Sequence, residues 1–226
     1  MEKDYDVIII GGGITGAGTA RDCALRGLRT LLVERHDIAD GATGRNHGLL
    51  HSGARYAVKD AESATECIKE NRILRNIASA CIEDTGGLFI TLPEDEKTGY
   101  GLDYQKTFVD ACHKAGIDAE VISPEKARAM EPSVNPDLIG AVVVPDGAVD
   151  PFRLCSANVL DARLNGADVL QYTTFERFVI EQGRVCGVIV REQASGRTRQ
   201  FRAPVTVNAA GIWGHYVASM AGVTIS

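Results

Sequence analysis

The first 34 residues contain the pattern that most restricts how this chain can fold. Val7–Ile10 is a continuous apolar run, which is typical of a parallel strand buried on both faces. Three glycines follow it, residues 15–26 have the Ala- and Leu-rich composition of a helix, and Thr30–Val33 is a second apolar run ending at Glu34. The sequence therefore predicts a β-α-β unit with a glycine-rich turn after its first strand.

The turn itself has the spacing G-x-G-x-x-G, formed by Gly11, Gly13 and Gly16. In this arrangement the first glycine allows a tight turn, the second lets a pyrophosphate approach the backbone, and the third permits close helix packing. The helix N-terminus then faces the phosphates. Glu34 closes the second strand, where a carboxylate can bind both ribose hydroxyls and disfavours the 2′-phosphate of NADP. A structural glycine-rich turn beside a surface glutamate is the alternative.

Composition excludes several classes of protein. The 226 residues are 45% hydrophobic and 24% charged, as in ordinary globular proteins. The net charge is −6 and no run of Lys or Arg is longer than a pair, which argues against a nucleic-acid partner. No apolar run approaches the roughly 20 residues of a membrane span. The six cysteines are scattered without a C-x-x-C pair, so we predict separate reduced thiols and no metal site.

The rest of the chain predicts a mixture of helices and strands. Residues 35–60 are glycine-rich and have no periodicity, which is unusual unless the segment wraps a ligand. Helices are predicted over 64–82, 104–115, from Pro124, over 151–165 and near Trp213. Strands are predicted over 88–92, 138–144, 169–170, 173–181, 184–192, 197–202 and 205–208, with a turn at 182–183.

The segment after Glu34 separates two cofactor classes. A nicotinamide dehydrogenase usually continues with a third strand, whereas this chain runs through the glycine-rich residues 41–56. Together with residues 207–214, this segment resembles the FAD-dependent glycerol-3-phosphate dehydrogenases of the D-amino-acid-oxidase-like flavoprotein superfamily, and within them the anaerobic, quinone-linked group. The blocks 34–38, 87–93 and 149–154 agree, so the resemblance covers the whole chain.

The resemblance implies FAD as the cofactor. The turn glycines and Glu34 would hold its ADP half, and residues 43–46 would wrap the pyrophosphate. The segment from Gly48 to His51 would lie along the isoalloxazine, and Phe175 would meet the adenine through its backbone. The implied cofactor residues are Gly11, Gly13, Gly16, Glu34, Arg35, Thr43, Gly44, Arg45, Asn46, Gly48, Leu49, His51, Phe175, Ala210 and Gly211.

The same resemblance implies oxidation of the C2 hydroxyl of sn-glycerol 3-phosphate to give dihydroxyacetone phosphate, with the hydride passing to flavin N5. His51, Arg55 and Tyr56 would be the catalytic residues. Arg55 can fork the substrate phosphate, with a structural ion pair as the alternative. His51 can take the hydroxyl proton, with cofactor packing as an equal alternative. The side chains expected to be structural or on the surface are His47, His113 and His215, and Trp213 is expected to pack its helix rather than to serve as a stacking platform.

The implied fold is α/β. A Rossmann-like FAD-binding domain with a three-layer ββα arrangement is interleaved along the chain with a β-rich substrate domain, and the fold is truncated. We predict FAD-binding elements over 1–82, substrate-domain elements over 83–165 and a return to the FAD-binding domain over 166–226. The chain ends shortly after a strand–glycine–helix turn that usually lies mid-domain. We therefore expect the N-terminal part of a longer subunit, which alone binds FAD weakly at best and does not reduce an acceptor.

Partner and localisation predictions also follow from the resemblance. Electrons would leave through iron–sulfur partner subunits of a membrane-associated complex to quinone, in glycerol metabolism and anaerobic respiration. The protein would be cytoplasmic and peripheral on the cytoplasmic face of the inner membrane. Two alternatives stay open. One is an FAD-dependent amino-acid or amine oxidase of the same superfamily, and the other is a catalytically incomplete FAD-binding fragment.

Overall fold

The computed structural model describes residues 4–224. The strands of this part are β1 Val7–Ile10, β2 Thr30–Val33, β3 Leu49–Leu50, β4 Ile82–Glu83, β5 Gly87–Thr91, β6 Glu120–Ile122, β7 Gly140–Val144, β8 Gly147–Val149, β9 Asp168–Leu170, β10 Thr173–Glu181, β11 Arg184–Glu192, β12 Thr198–Arg202 and β13 Val205–Asn208. The helices are α1 Ile14–Leu25, α2 Ala61–Ile77, α3 Leu102–Lys114, α4 Pro124–Met130, α5 Pro151–Leu164 and α6 Gly214–Ser219. Single 3₁₀ turns cover Ala42–Arg45, Ala54–Tyr56, Ser79–Cys81, Pro93–Lys97 and Gly211–Trp213.

The chain folds into two compact units. The discontinuous unit combines the stretch up to His47 with the stretch from Asp150 onward, and the continuous unit is Gly48–Val149. One unit is therefore inserted into the sequence of the other, as the predicted interleaving requires.

A parallel sheet of order β13-β1-β2-β9 forms the centre of the discontinuous unit. Val7 pairs with Thr30 on one side and with Val205 on the other. The strands are apolar throughout because both of their faces are covered. The side chains that face the antiparallel sheet β10-β11-β12 are Ile8, Ile10, Leu31 and Val33, and those that face the helices are Val7, Ile9 and Leu32.

Two helices, α1 and α5, cover the second face of the parallel sheet. Their contact uses small side chains such as Ala20 and Ala162, both without solvent exposure. An ion pair between Arg21 and Asp161 joins them at 2.5 Å. The helices, the parallel sheet and the antiparallel sheet make three layers, so the predicted ββα class is confirmed.

The continuous unit contains two small antiparallel sheets, β5-β7-β6 and β3-β8-β4, with helices α2, α3 and α4. Its core joins Ile68 of α2 and Phe108 of α3 to Val142 of β7. The predicted start of α4 is confirmed, because the Ser123 hydroxyl accepts from the amide of Lys126 at 3.2 Å and Pro124 follows.

Several predicted bounds need correction. The helix predicted over 64–82 begins at Ala61 and ends at Ile77, because Ala78 leaves helical geometry and Ile82 pairs with Val149 in a sheet. Its apolar spacing continues to residue 82 because Cys81 of the following turn is buried and Ile82 of the strand is half-buried. The strands β6 and β8 were not predicted, since three residues are too few to show a period of two.

The predicted domain bounds at 82/83 and 165/166 also differ from the observed ones at 47/48 and 149/150. Residues 48–82 belong to the continuous unit because β3 and β4 both pair with β8. The helix α5 belongs to the discontinuous unit because it packs on α1. That the units are the FAD-binding and substrate domains stays a prediction.

Two further features concern thiols and membrane contact. All six cysteines lie within residues 4–224 and occur there as free thiols, as predicted. Within the same residues, no helix has both the length and the apolar character to cross a membrane.

Candidate functional site

A groove lies in the discontinuous unit at the carboxyl ends of its parallel strands. It encloses about 620 Å³ and runs from the end of β1 past the ends of β2 and β13. This edge of a parallel sheet is where nucleotide ligands bind in doubly wound folds. The predicted cofactor residues that line it are Gly11, Gly13, Glu34, Arg35, Thr43, Asn46, Phe175, Ala210 and Gly211.

The glycine turn is held by close backbone approaches. Gly11 has φ +113°, a conformation that side chains disfavour, and a Cβ there would lie 2.4 Å from the carbonyl oxygen of Ala209. A Cβ on Gly16 would lie 1.9 Å from the carbonyl oxygen of Gly11. Gly16 therefore packs the helix onto the strand, as expected, and does not itself line the groove. Gly13, which caps α1 without a side chain, lines the groove, and a Cβ there would lie 3.0 Å from the Thr43 hydroxyl oxygen.

The 41–46 turn is attached to the start of α1. The Thr43 hydroxyl accepts from the amide of Ile14 at 3.0 Å, and the Asn46 side-chain amide donates to the Thr43 carbonyl at 2.6 Å. Thr43 thus supplies the cap that Gly13 cannot, while its own O–H remains a donor. Two predicted residues of this turn, Gly44 and Arg45, do not line the groove. Gly44 is required for packing, since a Cβ there would lie 2.4 Å from the carbonyl oxygen of Ala39.

The Glu34 carboxylate lines the groove, adds negative charge to it and holds neighbouring backbone in place. Its Oε2 accepts from the amide of Gly12 and its Oε1 accepts from the amide of His36, each at 2.7 Å. A carboxylate offers about four acceptor positions, so each oxygen keeps capacity for a ribose hydroxyl. The sequence predicted the position of Glu34 but not its hold on the glycine turn.

One wall of the groove joins Arg35 to Trp213. The Arg35 guanidinium lies 4.0 Å from the centroid of the indole ring, a cation–π distance. A Cβ on Gly41 would lie 3.6 Å from the same ring. The expectation that Trp213 packs its helix rather than serving as a stacking platform is wrong, because Trp213 lines the groove and the Arg35 guanidinium lies over its ring. The composition offered one signal, since this is the single tryptophan of the chain.

A buried thiol lies beneath the turn. Cys155 of α5 has no solvent exposure, and its Sγ donates to the carbonyl oxygen of Gly12 at 3.4 Å. Burial raises the pKa of this thiol to about 11, with a smaller contribution from the charge of Glu34. The thiol is therefore a neutral packing group under the turn at ordinary pH.

The remaining predicted residues lie in the continuous unit. Gly48, Leu49 and His51 are in or next to β3, and Arg55 and Tyr56 are in the 3₁₀ turn that follows. The His51 ring packs edge-on against Tyr56 at 5.8 Å, and the Arg55 guanidinium lies 5.5 Å from the Tyr56 ring. Tyr56 thus brings the three predicted catalytic side chains together. Within residues 4–224, the buried Nδ1 of His51 has no hydrogen-bond partner.

Sequence reasoning missed much of the groove lining. The unpredicted residues are Ile10, Ile14, Thr15, Val33, His36, Asp40, Gly41, Ala42, Thr173, Thr174, Ala209, Ile212, Trp213, Tyr216, Val217 and Met220. Several follow directly from position, because they are the last residue of a strand or neighbours of a predicted residue. Those from α6 carry no motif and are found only through the fold. Of the other histidines, His113 is structural as predicted, with its Nε2 2.9 Å from the carbonyl of Ala119.

Curated relatives with strong similarity are anaerobic glycerol-3-phosphate dehydrogenase A subunits. That of Haemophilus influenzae is 63% identical over 220 residues, which is 97% of this chain and 38% of that protein. The one from Escherichia coli K12 is 64% identical over 223 residues, 99% of this chain and 40% of that protein. The chain thus spans about two fifths of the length of these relatives.

Solved structures show the same fold. The glycerol-3-phosphate dehydrogenase from Bacillus halodurans, complexed with FAD, matches with a TM-score of 0.72 and 26% identity, over 97% of this chain and 37% of that one. Glycine oxidase from Geobacillus kaustophilus matches with a TM-score of 0.80 and 22% identity, over 100% of this chain and 60% of that one, and this likeness concerns the fold alone.

Family membership follows from a match over nearly the whole sequence. The profile of the family described as FAD dependent oxidoreductase, abbreviated DAO, covers residues 6–225 and therefore both units. It includes the glycine turn, Glu34 and the segment with His51. The chain belongs to the DAO family of FAD-dependent oxidoreductases.

Proposed function

We propose that this chain supplies the FAD-binding groove and substrate residues of a dehydrogenase that oxidises sn-glycerol 3-phosphate to dihydroxyacetone phosphate. The observation that carries the proposal is the groove, where the glycine turn and Glu34 meet in a chain 63–64% identical to the relatives named above. The activity named for those relatives is the best candidate for the protein that contains this chain.

The groove residues fit FAD on three counts. Gly13 lines the groove at the start of α1, where backbone amides and the helix dipole favour a pyrophosphate. Glu34 retains acceptor capacity for the ribose. The volume of about 620 Å³ lies within the roughly 300–1,000 Å³ usual for cofactor and ligand sites.

When bound, FAD supplies a two-electron acceptor for alcohol oxidation. The amides and dipole at the start of α1 offset phosphate charge, and Glu34 orients the ribose. Arg35 and Trp213 form one wall of the groove. These residues bind and orient the cofactor, whereas residues of the continuous unit carry out proton transfer.

We assign substrate chemistry to His51, Arg55 and Tyr56, as the resemblance implies. Arg55 is solvent-exposed and carries a planar set of donors that suits a phosphate dianion. His51 accepts the proton of the C2 hydroxyl at a ring nitrogen, since neutral imidazole is a competent base near neutral pH. Tyr56 contacts both side chains and fixes their spacing.

The proposal extends to partners and location. The relatives are named as one of several subunits of their enzyme, which supports assembly of this chain into a multisubunit complex. We place iron–sulfur subunits next in the electron path and quinone at its end. Such a complex would hold this chain peripherally on the cytoplasmic face of the inner membrane.

Cofactor binding is tested by titrating the purified chain with FAD while following Trp213 emission. Trp213 is the single tryptophan and lines the groove, so FAD should quench it in a saturable way. NADP should compete poorly, since Glu34 repels a 2′-phosphate. The groove assignment would be contradicted if equilibrium dialysis shows that FAD binds while Trp213 emission stays constant.

Substrate class is tested on the FAD-loaded chain. We expect sn-glycerol 3-phosphate to perturb the flavin absorption spectrum, and glycine and proline to leave it unchanged. Arg55→Lys should remove this perturbation and keep FAD binding, while the control Arg72→Lys on α2 should behave as wild type. A response to amino acids alone would favour the amino-acid oxidase alternative. No response to any compound, beside a normal response of the Escherichia coli relative, would favour the incomplete FAD-binding fragment.

A further inference from the structure

The two peptide groups that flank His51 are both anchored by buried side chains. The Asn71 side-chain amide donates to the carbonyl oxygen of Leu50 at 3.2 Å. The amide of Ser52 donates to Oδ1 of Asp146 at 2.6 Å. One of these peptide planes precedes the Cα of His51 and the other follows it. Since a residue has only two soft backbone dihedrals, fixing both planes fixes the direction of its Cα–Cβ bond.

The two anchors belong to one network. The Arg75 Nε donates to Oδ1 of Asn71 at 2.7 Å, one helical turn away on α2. Its Nη2 donates to the carbonyl oxygens of Pro145 and Asp146 at 3.1 and 2.8 Å, and Nη1 forms an ion pair with Asp84. We call Asn71, Arg75 and Asp146 the anchoring network. Arg75 thereby fixes the backbone that carries the Asp146 carboxylate.

Two members of the network are buried, and the Arg75 side chain beside them is 25% exposed. Asn71 is 2% exposed, Asp146 is 8% exposed and Ser52 is not exposed. A hydrogen bond between buried groups is costly to break, because a donor or acceptor left without its partner keeps its desolvation penalty. The anchors therefore resist displacement more than surface hydrogen bonds would.

Two glycines bring the backbone close to side chains of the network. A Cβ on Gly87 would lie 2.7 Å from Oδ2 of Asp146, and a Cβ on Gly147 would lie 2.8 Å from Nη2 of Arg75. These glycines start β5 and β8, so two strands approach the network directly. These approaches restrict the Asp146 and Arg75 side chains where the strands meet them, and both residues also line a separate groove of the continuous unit.

The anchored residue carries an unusual side chain. The Nδ1 of His51 is buried, and within residues 4–224 it has no hydrogen-bond partner. A buried polar atom without a partner is costly and needs an explanation. The ring is otherwise held by its edge-on contact with Tyr56 at 5.8 Å. Rigid support beneath an unpartnered imidazole nitrogen is the arrangement expected for a pre-organised functional group.

We propose that the anchoring network positions the His51 imidazole for its role in the reaction. Asn71, Arg75 and Asp146 act through the backbone on either side of His51, so they are positioning residues. The functional meaning rests on the proposed function, whereas the anchoring itself does not. The proposal adds three residues that lie outside every motif quoted from the sequence.

The test is NMR spectroscopy of the ¹⁵N-labelled, full 226-residue chain. The imidazole signals of His51 are assigned by their loss in His51→Gln, and the exchange rate of the Ser52 amide is measured in parallel. In Asp146→Ala we expect the Ser52 amide to exchange about tenfold faster or more, because it loses a charge-assisted hydrogen bond. The His51 signals should broaden or split as the ring loses its single orientation.

Two further variants separate positioning from general stability. Asp146→Asn keeps an acceptor for the Ser52 amide and should restore a single set of His51 signals. Arg72→Ala removes a side chain of the same helix that donates to the carbonyl of Gly116 and not to the anchored peptides. It should lower the melting temperature and leave His51 unchanged.

The proposal is overturned if the His51 signals in both Asp146→Ala and Asn71→Leu match those of wild type. It is also overturned if the His51 signals in Arg72→Ala change as much as they do in those two variants. If Asp146→Ala does not fold, Asn71→Leu and the wild-type exchange rate decide. A Ser52 amide that exchanges at the unprotected rate in wild type also overturns it. FAD titration of the same samples is a separate readout. A chain that binds no FAD but shows the expected His51 behaviour contradicts the proposed function alone.

Discussion

The glycine turn and the His51 segment are both assigned to one reaction, but they are held in place by different means. At the turn, backbone meets backbone: a Cβ on Gly16 would lie 1.9 Å from the Gly11 carbonyl oxygen. At His51, buried side chains such as Asn71 and Asp146 hold the backbone from a distance in sequence. The glycine turn depends on the absence of Cβ atoms, and the His51 segment depends on hydrogen bonds from specific side chains. Substitutions should therefore affect them through different mechanisms.

The largest effect should come from adding one methyl group at the turn. Gly16→Ala should lower the free energy of unfolding by about 3 kcal/mol, because the new Cβ overlaps a backbone oxygen that cannot move aside. Gly18→Ala is the matched control on the same helix. It has nothing within 4 Å and should raise the free energy of unfolding by about 0.5–1 kcal/mol. Urea denaturation measures both, and a similar loss in both would mean that close approach does not hold the turn.

A second test removes the Glu34 carboxylate, which both holds the glycine turn and lines the groove. Glu34→Ala should weaken FAD binding by about 1.5–3 kcal/mol, the cost of losing charge-assisted hydrogen bonds. Part of that loss acts through the turn, since Glu34 also accepts from Gly12 and His36. Calorimetric titration measures the affinity, with the exposed Asp22→Ala on α1 as control. Unchanged affinity in Glu34→Ala would reject the ribose assignment.

A third test addresses the side-chain anchor. Asn71→Ala should lower the free energy of unfolding by about 2 kcal/mol, because it leaves the Leu50 carbonyl and the Arg75 Nε without their partner. Asn158→Ala, whose side chain bonds only the carbonyl of Leu154 in its own helix, should cost about 0.5 kcal/mol. Equal costs would remove the contrast between the two sites.

The smallest effect compares one buried thiol from each unit. Burial raises the pKa of Cys155 and of Cys112 from 9.0 to about 11, since the thiolate is poorly solvated there. The folded state therefore binds the proton more tightly, and stability is full below about pH 9 and falls as pH rises through 11. Each thiol should contribute a loss of about 1 kcal/mol between about pH 8 and pH 10.

This pH dependence is measured by urea unfolding at both pH values. Cys155→Ala and Cys112→Ala should each flatten it by a similar amount, because neither thiol is exposed to solvent. A variant that keeps the full wild-type dependence would show that its thiol is solvated in the folded chain. A difference between the two would rank how tightly the two cores exclude water.

The contrast between the sites also explains what the sequence could predict. The turn, both strands and Glu34 are close in sequence, and their chemistry follows from residue type and spacing. The parallel sheet and its ββα layers follow from apolar runs such as Val7–Ile10, which need cover on both faces. Trp213 was misjudged because a tryptophan at a helix start has the same local pattern whether it packs or lines a groove.

The His51 anchors could not be predicted in the same way. The Asn71 contact spans 21 residues and the Asp146 contact spans 94, so no local pattern links them to His51. Asn71 lies on the buried face of α2 with Ala64 and Ile68, but helical spacing does not show which backbone group its amide meets. The bounds of the two compact units are equally hidden from local patterns, since β3 and β4 belong to the continuous unit through their pairing with β8.

The insertion of one unit into the other has a consequence for folding kinetics. Val7 pairs with Val205, roughly 200 residues further along the chain. By contrast, every strand pair of the continuous unit lies within Gly48–Val149. Loop-closure entropy and high contact order slow distant pairings, so the continuous unit should fold first. During synthesis β1 and β2 wait for β9 and β13 with apolar faces uncovered, and that interval is when the nascent chain is most prone to aggregate.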